Sequence, residues 1–375
     1  MKQPPCHCKA RDEIERNFMS QLETLFAPIK IGSLELKNKI IMAPLTRCRA
    51  DENHNPTAMM AEYYAQRASA GLIIAEATMV MEHNSAFGAR EPGIYSQAQV
   101  NGWKKVTDAV HQKGGKIFLQ LWHGGRACHP FLNHDHVPVA PSAIAIEGEI
   151  VTPKGKVPYV TPRALELKEI PAIIEGFKTA AKNAQAAGFD GVEVHGANGY
   201  LLDQFMRDSA NKRTDLYGGS LENRCRLLLE VTKAVVDIWG ADKVGVRLSP
   251  LNSFNSMSDS NPLKLTNYIV SELNQLKVAY LHMMRSDFLG IQKGDVLTAA
   301  REAFKGIIIG NMGYSPEEAA GSIEKGLINA VAFGHHYVSN PNLVEKIKNG
   351  VALVEPDQNT YYTNDAKGYT DYPLN

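Results

Sequence analysis

The chain has 375 residues, 44% hydrophobic and 21% charged, and its 40 basic and 40 acidic side chains cancel to a formal net charge of zero. Such a composition supports a large buried core, and without a basic excess or a long basic run it carries no nucleic-acid footprint. No stretch approaches eighteen uninterrupted apolar residues, so no membrane span is expected.

In chain order, residues 1–24 read as a flexible N-terminal extension. They lack the apolar core of a secretory signal and mix both charge signs. Cys6-His7-Cys8 belongs there to a loose terminus rather than to a metal site, and Cys6, Cys8, Cys48, Cys128 and Cys225 show no disulfide or zinc spacing. No metal is expected. The last residues, Tyr372-Pro373-Leu374-Asn375, match no retention or peroxisomal address, so a cytoplasmic location is the default.

From residue 25 to 375, short apolar runs alternate with longer amphipathic ones, the pattern of parallel strands joined by helices. Strands are expected at Lys39–Ala43, Gly71–Ala77, Lys116–Leu121, Gly191–His195, Val244–Leu248, Val278–Met283, Gly306–Gly310 and Ala330–Gly334. Helical spacing marks Met59–Ser69, Gln97–Gln112, Ile170–Ala187, Leu221–Trp239 and Pro316–Lys325, the last with a Ser315/Glu318 capping signature. Asn340-Pro341 opens a final helix through Lys348. Eight strand–helix units close into a single (β/α)8 (TIM) barrel of the α/β class. An open doubly wound sheet is the structural rival, but no G-x-G-x-x-G joins a strand to a helix. Residues 123–162, rich in Pro and Gly, form an insertion after the third strand, a small hairpin lid. Residues 351–375 form a tail folded back over one face.

Chemistry in such barrels lies at the C-terminal strand ends. Gln120 sits inside an apolar strand, where a satisfied core amide and a functional group are equally good readings. Arg247, in Val-Gly-Val-Arg-Leu, needs a polar or anionic partner because an unpaired buried charge is costly. Gly310-Asn311 and Gly334-His335 end the seventh and eighth strands and read as a phosphate cradle of backbone N–H groups, with simple turns as the bland alternative. His195 and Asn198 fall on one face if the chain turns helically after the fourth strand. Two neutral donors then converge on one acceptor. Tyr200, a phenol protonated at neutral pH, stands nearby as a proton donor.

From about Leu25 to Pro373 the chain resembles the Old Yellow Enzyme family of FMN-dependent alkene reductases. The residues that carry the likeness are Ile41-Met42-Ala43-Pro44-Leu45-Thr46-Arg47, Tyr63-Tyr64-Ala65-Gln66-Arg67-Ala68, the run from His195 to Phe205, the run from Arg213 to Arg224, and Gly368-Tyr369-Thr370-Asp371-Tyr372-Pro373. The resemblance points to the branch of plant 12-oxophytodienoate reductases, bacterial N-ethylmaleimide reductases and trypanosomatid prostaglandin F synthases. Thr46 stands where another branch has a flavin-tuning cysteine, and Asn198 where that branch has a second histidine. The chain stops before the iron–sulfur and Rossmann additions of the dienoyl-CoA reductases.

The resemblance implies FMN as cofactor and NADPH or NADH as diffusible hydride donor. Pro44, Leu45, Thr46, Ala77, Gln120 and Arg247 then hold the flavin ring, Gly310, Asn311, Gly334 and His335 hold its phosphate, and Ala43 is a further cofactor contact. His195 and Asn198 bind the carbonyl oxygen of an enone-type small molecule, Tyr200 protonates it, and Trp122 and Tyr362 shape the substrate pocket. The implied reaction is ping-pong, with hydride delivered from flavin N5 and a proton from Tyr200. Oxylipin or prostaglandin endoperoxide, quinone and nitro reduction are alternatives on the same site, and a monomer or homodimer is expected. His335 departs from the family, many members of which carry arginine there, and an imidazole offers fewer donors and no fixed charge. Two rivals remain outside this reading. One is a sugar-phosphate barrel, disfavoured because no strand offers a lysine at its C-terminal end. The other is a non-catalytic flavin or steroid binder.

Overall fold

The structure is a computed structural model that describes residues 22–88 and 90–374. The expected flexible extension, Cys6-His7-Cys8 included, therefore lies outside the described residues except for 22–24, which are helical, with Leu22 buried.

All eight expected strands form, each end within two residues of its sequence-based position. They are β1 (Ile40–Met42), β2 (Leu72–Met79), β3 (Ile117–Trp122) and β4 (Gly191–Gly196), then β5 (Val244–Leu248), β6 (Tyr280–Met284), β7 (Ile307–Asn311) and β8 (Ala330–Phe333). Each pairs in parallel with its chain neighbour, and β8 pairs with β1, which closes the barrel. The helices between them are α1 (Ala58–Gln66), α2 (Gln97–Gln112), α3 (Ile170–Ala186), α4 (Leu201–Met206) and α5 (Leu221–Trp239). They continue with α6 (Pro262–Gln275), α7 (Val296–Ala303), α8 (Pro316–Glu324), α9 (His335–Ser339) and α10 (Leu343–Lys348).

The period-2 alternation of strands sorts side chains into two cores. Outward residues such as Ile73, Leu119, Val194, Val246, Leu281 and Ile308 pack against the helices. Inward residues near the N-terminal end of the barrel, including Ile41, Ile74, Phe118, Tyr280 and Ile309, form a second apolar cluster. The hairpin Ile29–Ile31/Leu34–Leu36 plugs that end with Ile31 and Leu36. Gly245 makes room for the floor, since a Cβ there would lie 2.1 Å from the Tyr280 ring. One step higher the inward residues turn polar: Gln120, Glu193, Arg247, His282 and Asn311 are all buried. The barrel is thus dry at its base and polar at its mouth.

Three sequence expectations change. The Ser315 side chain accepts from the Glu318 N–H, but Glu318 turns its carboxylate to Arg285, at 2.9 Å from Nη2, instead of returning to the cap. The last helix begins at Leu343 and not at Asn340-Pro341, because the Asn340 amide is spent on His336 and Val354 carbonyls. The insertion does contain an antiparallel hairpin, Glu149–Thr152 with Gly155–Pro158, yet none of its residues lines the cavities described below.

The tail does fold back. Arg49, buried beside β1, donates to the carbonyls of Thr360, Tyr361, Asp365 and Lys367, and Arg47 to those of Tyr361 and Gly368. Tyr369 stacks on Tyr63 of α1 with centroids 3.9 Å apart. Among the described residues no helix is long and apolar enough to cross a membrane, and no cluster of three His, Cys, Asp or Glu fit for a metal is found.

Candidate active site

Two adjoining cavities open at the C-terminal mouth of the barrel. The first, about 400 Å3, is lined by Pro44, Leu45, Thr46, Ala77, Gln120, His195, Asn198, Tyr200 and Arg247, and rimmed by aromatic residues of four loops. The second, about 590 Å3, runs over the ends of β7 and β8 past Ala43, Asn311 and Gly334. Pro44, Leu45, Arg247, Phe288 and His335 belong to both. The two cavities therefore adjoin along these residues.

His195 and Asn198 do meet in the first cavity, but not by a helical turn. Asn198 (φ +58°) and Gly199 (φ +72°) are successive left-handed residues, and α4 starts only after Tyr200, its N-cap. A side chain at 199 would also press within 2.7 Å of Asn255 and Met257. Glycine is obligatory there on both counts. The Gly199 N–H is taken up by Asp203 and its carbonyl by Gln204, which ties the turn to α4.

Hydrogen bonding sets which way each group faces. The Nδ1 atom of His195 accepts from the Ala197 N–H at 3.3 Å, so the proton sits on Nε2. Burial holds this imidazole well below its usual pKa, reinforced by Arg247 and His282, so it is a neutral donor. The Asn198 Oδ1 accepts from Asn252 at 2.8 Å, which leaves its Nδ2 hydrogens as donors. Tyr200 stands edge-on to both Trp122 and His195, each ring 5.2 Å away, and burial raises its hydroxyl well above the ordinary phenol range.

Beneath these groups lies a polar layer. Gln120 Nε2 donates to Glu193 at 2.8 Å, Glu193 pairs with His282 at 3.0 Å, and Arg247 Nη2 donates to Asn311 Oδ1 at 3.0 Å. Arg247 Nε is buried without a partner. A buried guanidinium with an orphan donor, on the wall of a cavity lined by both polar and apolar residues, fits an anionic or carbonyl-rich ring such as the pyrimidine edge of a flavin.

The other expected residues sort unevenly. Trp122 is fully buried and lines neither cavity; it acts on the site through Tyr200 and Phe87. Gly310 lies within β7, off both cavities, where its missing side chain leaves room for Ile328. Asn311 spends its side chain on Arg247 and the Ala332 carbonyl, and its own carbonyl accepts from the Arg285 N–H at 3.2 Å, so it supports the second cavity from within the strand ladder. His335 lines both cavities and bonds the tail, through Nε2 to Glu355 at 2.8 Å and Nδ1 to the Tyr361 hydroxyl at 3.3 Å. Tyr362 is at the rim against Phe87.

Sequence reasoning missed Phe87, Phe254, Phe288 and Tyr361 at the rim, and the supporting Glu193, Asn252 and His282. Phe254 and Phe288 sit in loops without a periodic pattern. Glu193 and His282, by contrast, were visible as charged or polar residues inside apolar strands, the same signal that marked Arg247.

Residues 24–353 match the model of a family described as NADH:flavin oxidoreductase / NADH oxidase. The chain is 49% identical to a probable flavin mononucleotide-dependent alkene reductase of Leishmania infantum, covering 94% of this chain and 98% of that protein. It superposes on the old yellow enzyme from Trypanosoma cruzi with a TM-score of 0.91 at 46% identity, over 94% of this chain and 99% of the other. Morphinone reductase in complex with tetrahydroNAD aligns with a TM-score of 0.88 at 43% identity, covering 93% and 97%.

Proposed function

The chain belongs to the NADH:flavin oxidoreductase / NADH oxidase family, as an FMN-dependent enzyme of Old Yellow Enzyme type, and from that premise we propose that it reduces the C=C bond of α,β-unsaturated carbonyl compounds. NADPH or NADH is the diffusible reductant, and the complex of morphinone reductase with tetrahydroNAD supports a nicotinamide partner. When bound, FMN would supply the hydride chemistry that links oxidation of the nicotinamide to reduction at the β-carbon of the acceptor. Pro44, Leu45, Thr46, Ala77, Gln120 and Arg247 would hold its ring, and Gly334 and His335 its phosphate end, with Ala43 lining the same second cavity.

The observation that carries this reading is donor polarity in the first cavity. With His195 Nδ1 and Asn198 Oδ1 both occupied, Nε2–H and Nδ2–H remain for one acceptor oxygen. Neutral donors of this kind bind a carbonyl modestly and an enolate oxygen strongly, so they act where charge develops in the transition state. Tyr200 keeps its proton at neutral pH and delivers it to the substrate α-carbon. Arg247 places a cation at the same mouth, where it offsets negative charge on a reduced ring.

The test is direct. The purified protein, with its bound yellow chromophore, is given NADPH or NADH and cyclohexenone. Stoichiometric formation of cyclohexanone is the expected result; reductant oxidation without saturation of the alkene would overturn the assignment.

A further inference from the structure

Asn252, in the loop after β5, is fully buried, and its backbone groups and both ends of its side-chain amide are hydrogen-bonded. Its backbone N–H donates to the Ser249 carbonyl at 3.0 Å, and its carbonyl accepts from Arg207 at 3.3 Å. Its side-chain Oδ1 faces two backbone donors, the N–H of Phe254 at 3.3 Å and that of Phe288 at 3.4 Å. Only one orientation of the amide satisfies them. The remaining Nδ2 is then directed at Asn198 Oδ1, 2.8 Å away. A reversed amide would set donors against donors at one end and two oxygens together at the other, a costly arrangement in a dry site.

Asn198 itself has a second, separate set of restraints. Its N–H donates to Ser249 Oγ at 2.8 Å and its carbonyl accepts from Asn255 at 3.0 Å. Those bonds fix its backbone. The direction of its side-chain amide depends on Asn252.

We propose that Asn252 is a positioning residue that sets the polarity of Asn198, holding the Asn198 Nδ2 hydrogens toward the substrate oxygen. It also ties that polarity to the loops bearing Phe254 and Phe288, two aromatic residues of the cavity rim. The inference rests on the proposed role of Asn198 as a ligand of the substrate oxygen.

The experiment uses the holoenzyme and para-hydroxybenzaldehyde, whose phenolate oxygen stands in for an enolate oxygen. Binding is followed by flavin absorbance across a pH series, which yields the dissociation constant and the apparent pKa of the bound phenol. Asn252→Asp keeps the shape and the acceptor for both backbone N–H groups but presents an oxygen to Asn198, which must turn its own oxygen toward the cavity. Phenolate affinity should fall at least about tenfold, with the bound phenol's pKa rising by about one unit, as for loss of a donor to a charged oxygen. Asn252→Ser, which adds no charge, should give a smaller loss of about threefold and serves if the aspartate variant does not fold. Asn198→Ala should match the larger loss, and neither Asn252 variant should add to it, since the two residues act as one unit. Unchanged affinity and pKa in both Asn252 variants beside an impaired Asn198→Ala would overturn the proposal alone. A loss that persists in full on the Asn198→Ala background would do the same. If Asn198→Ala itself bound the phenolate normally, the assignment of Asn198 would fall and this inference with it.

Discussion

Gln120 and Glu193 meet inside the barrel at 2.8 Å, on neighbouring strands and directly in register. Because Glu193 accepts, the Gln120 amide must donate downward, and its carbonyl is left facing the cavity. The second Glu193 oxygen is paired with His282, so one carboxylate aligns two side chains below the mouth. Glu193→Ala should leave both unpartnered in a dry core and cost about 3 kcal/mol of unfolding free energy. It should also weaken FMN binding, measured by recovery of flavin fluorescence on release. A variant as stable as the parent, with unchanged FMN affinity, would show that this layer only fills space.

Tyr200→Phe separates the two halves of the proposed reaction. The ring contacts with Trp122 and His195 survive the change, so the cavity keeps its shape. Anaerobic stopped-flow mixing with NADPH should show near-normal flavin reduction. Reoxidation by cyclohexenone should slow by a factor of about one hundred to ten thousand, the usual worth of a positioned general acid. Equal slowing of both halves would argue that Tyr200 shapes the site and does not supply the proton.

His195 is neutral because burial, Arg247 and His282 all disfavour its charged form. The rate constant for enone reduction should therefore show no ionisation near pH 6.5, the ordinary imidazole value. His195→Ala should lower that rate about a hundredfold, the typical effect of losing one donor to a developing oxyanion. An inflection near 6.5 that disappears in His195→Ala would mean that the ring works as a cation.

The barrel was legible because its strands alternate two apolar faces and carry their polar residues late, at Gln120, Arg247 and Asn311. Long helices with strong caps were equally open to reading: Ser96 of α2 accepts from the Gln99 N–H and Ser220 of α5 from the Asn223 N–H, whereas α6 and α7, capped by Asn261 and Asp295, were not anticipated. The turn after β4 was harder. His195, Asn198 and Tyr200 do line one cavity, yet the left-handed conformations at 198 and 199 depend on close packing against Asn255 and Met257, which local sequence does not encode. Orientation was out of reach altogether. Whether Asn198 donates or accepts depends on Asn252 and on backbone N–H groups of two other loops, a relation that exists only once the loops are assembled.

Glu76 gives stability a pH dependence of identifiable origin. This carboxyl, fully buried within β2, accepts from the Arg47 N–H and the Tyr64 hydroxyl, but burial outweighs those bonds and raises its pKa from 4.5 to about 7. A group raised in the folded state contributes stability in full below its unfolded pKa and loses it as pH climbs through the folded one. The loss between pH 5 and 8 is on the order of 3 kcal/mol. His123 works in the opposite sense: burial lowers it to about 3, so its contribution is present above pH 6.5 and fades as the solution is acidified. The buried imidazoles of His195 and His282, also held below their usual pKa, act in the same sense as His123 and offset the Glu76 loss in the parent, so the variant carries the test: in urea unfolding at pH 6 and pH 8, Glu76→Gln should gain about 1 kcal/mol on the parent as the pH rises. A stability difference between variant and parent that is the same at both pH values would remove Glu76 as the source.

Arg49 is the main strap on the C-terminal tail. Its guanidinium reaches four tail carbonyls and the Thr363 hydroxyl, and it also donates to the Arg47 carbonyl at 2.6 Å. The tail it holds places Tyr361 and Tyr362 at the rim of the first cavity. Lysine has the charge but not the planar fork, and can keep only part of this set. Arg49→Lys should lose about 2 kcal/mol through unmade charge-assisted bonds, most of it in local release of the tail, because Arg47 still anchors Tyr361 and Gly368. Limited proteolysis should then cut within residues 351–374 roughly ten times faster or more at unchanged global stability, the regime in which cleavage follows local opening. Equal cleavage rates in parent and variant would mean that the stack of Tyr369 on Tyr63 and the Arg47 contacts hold the tail without Arg49.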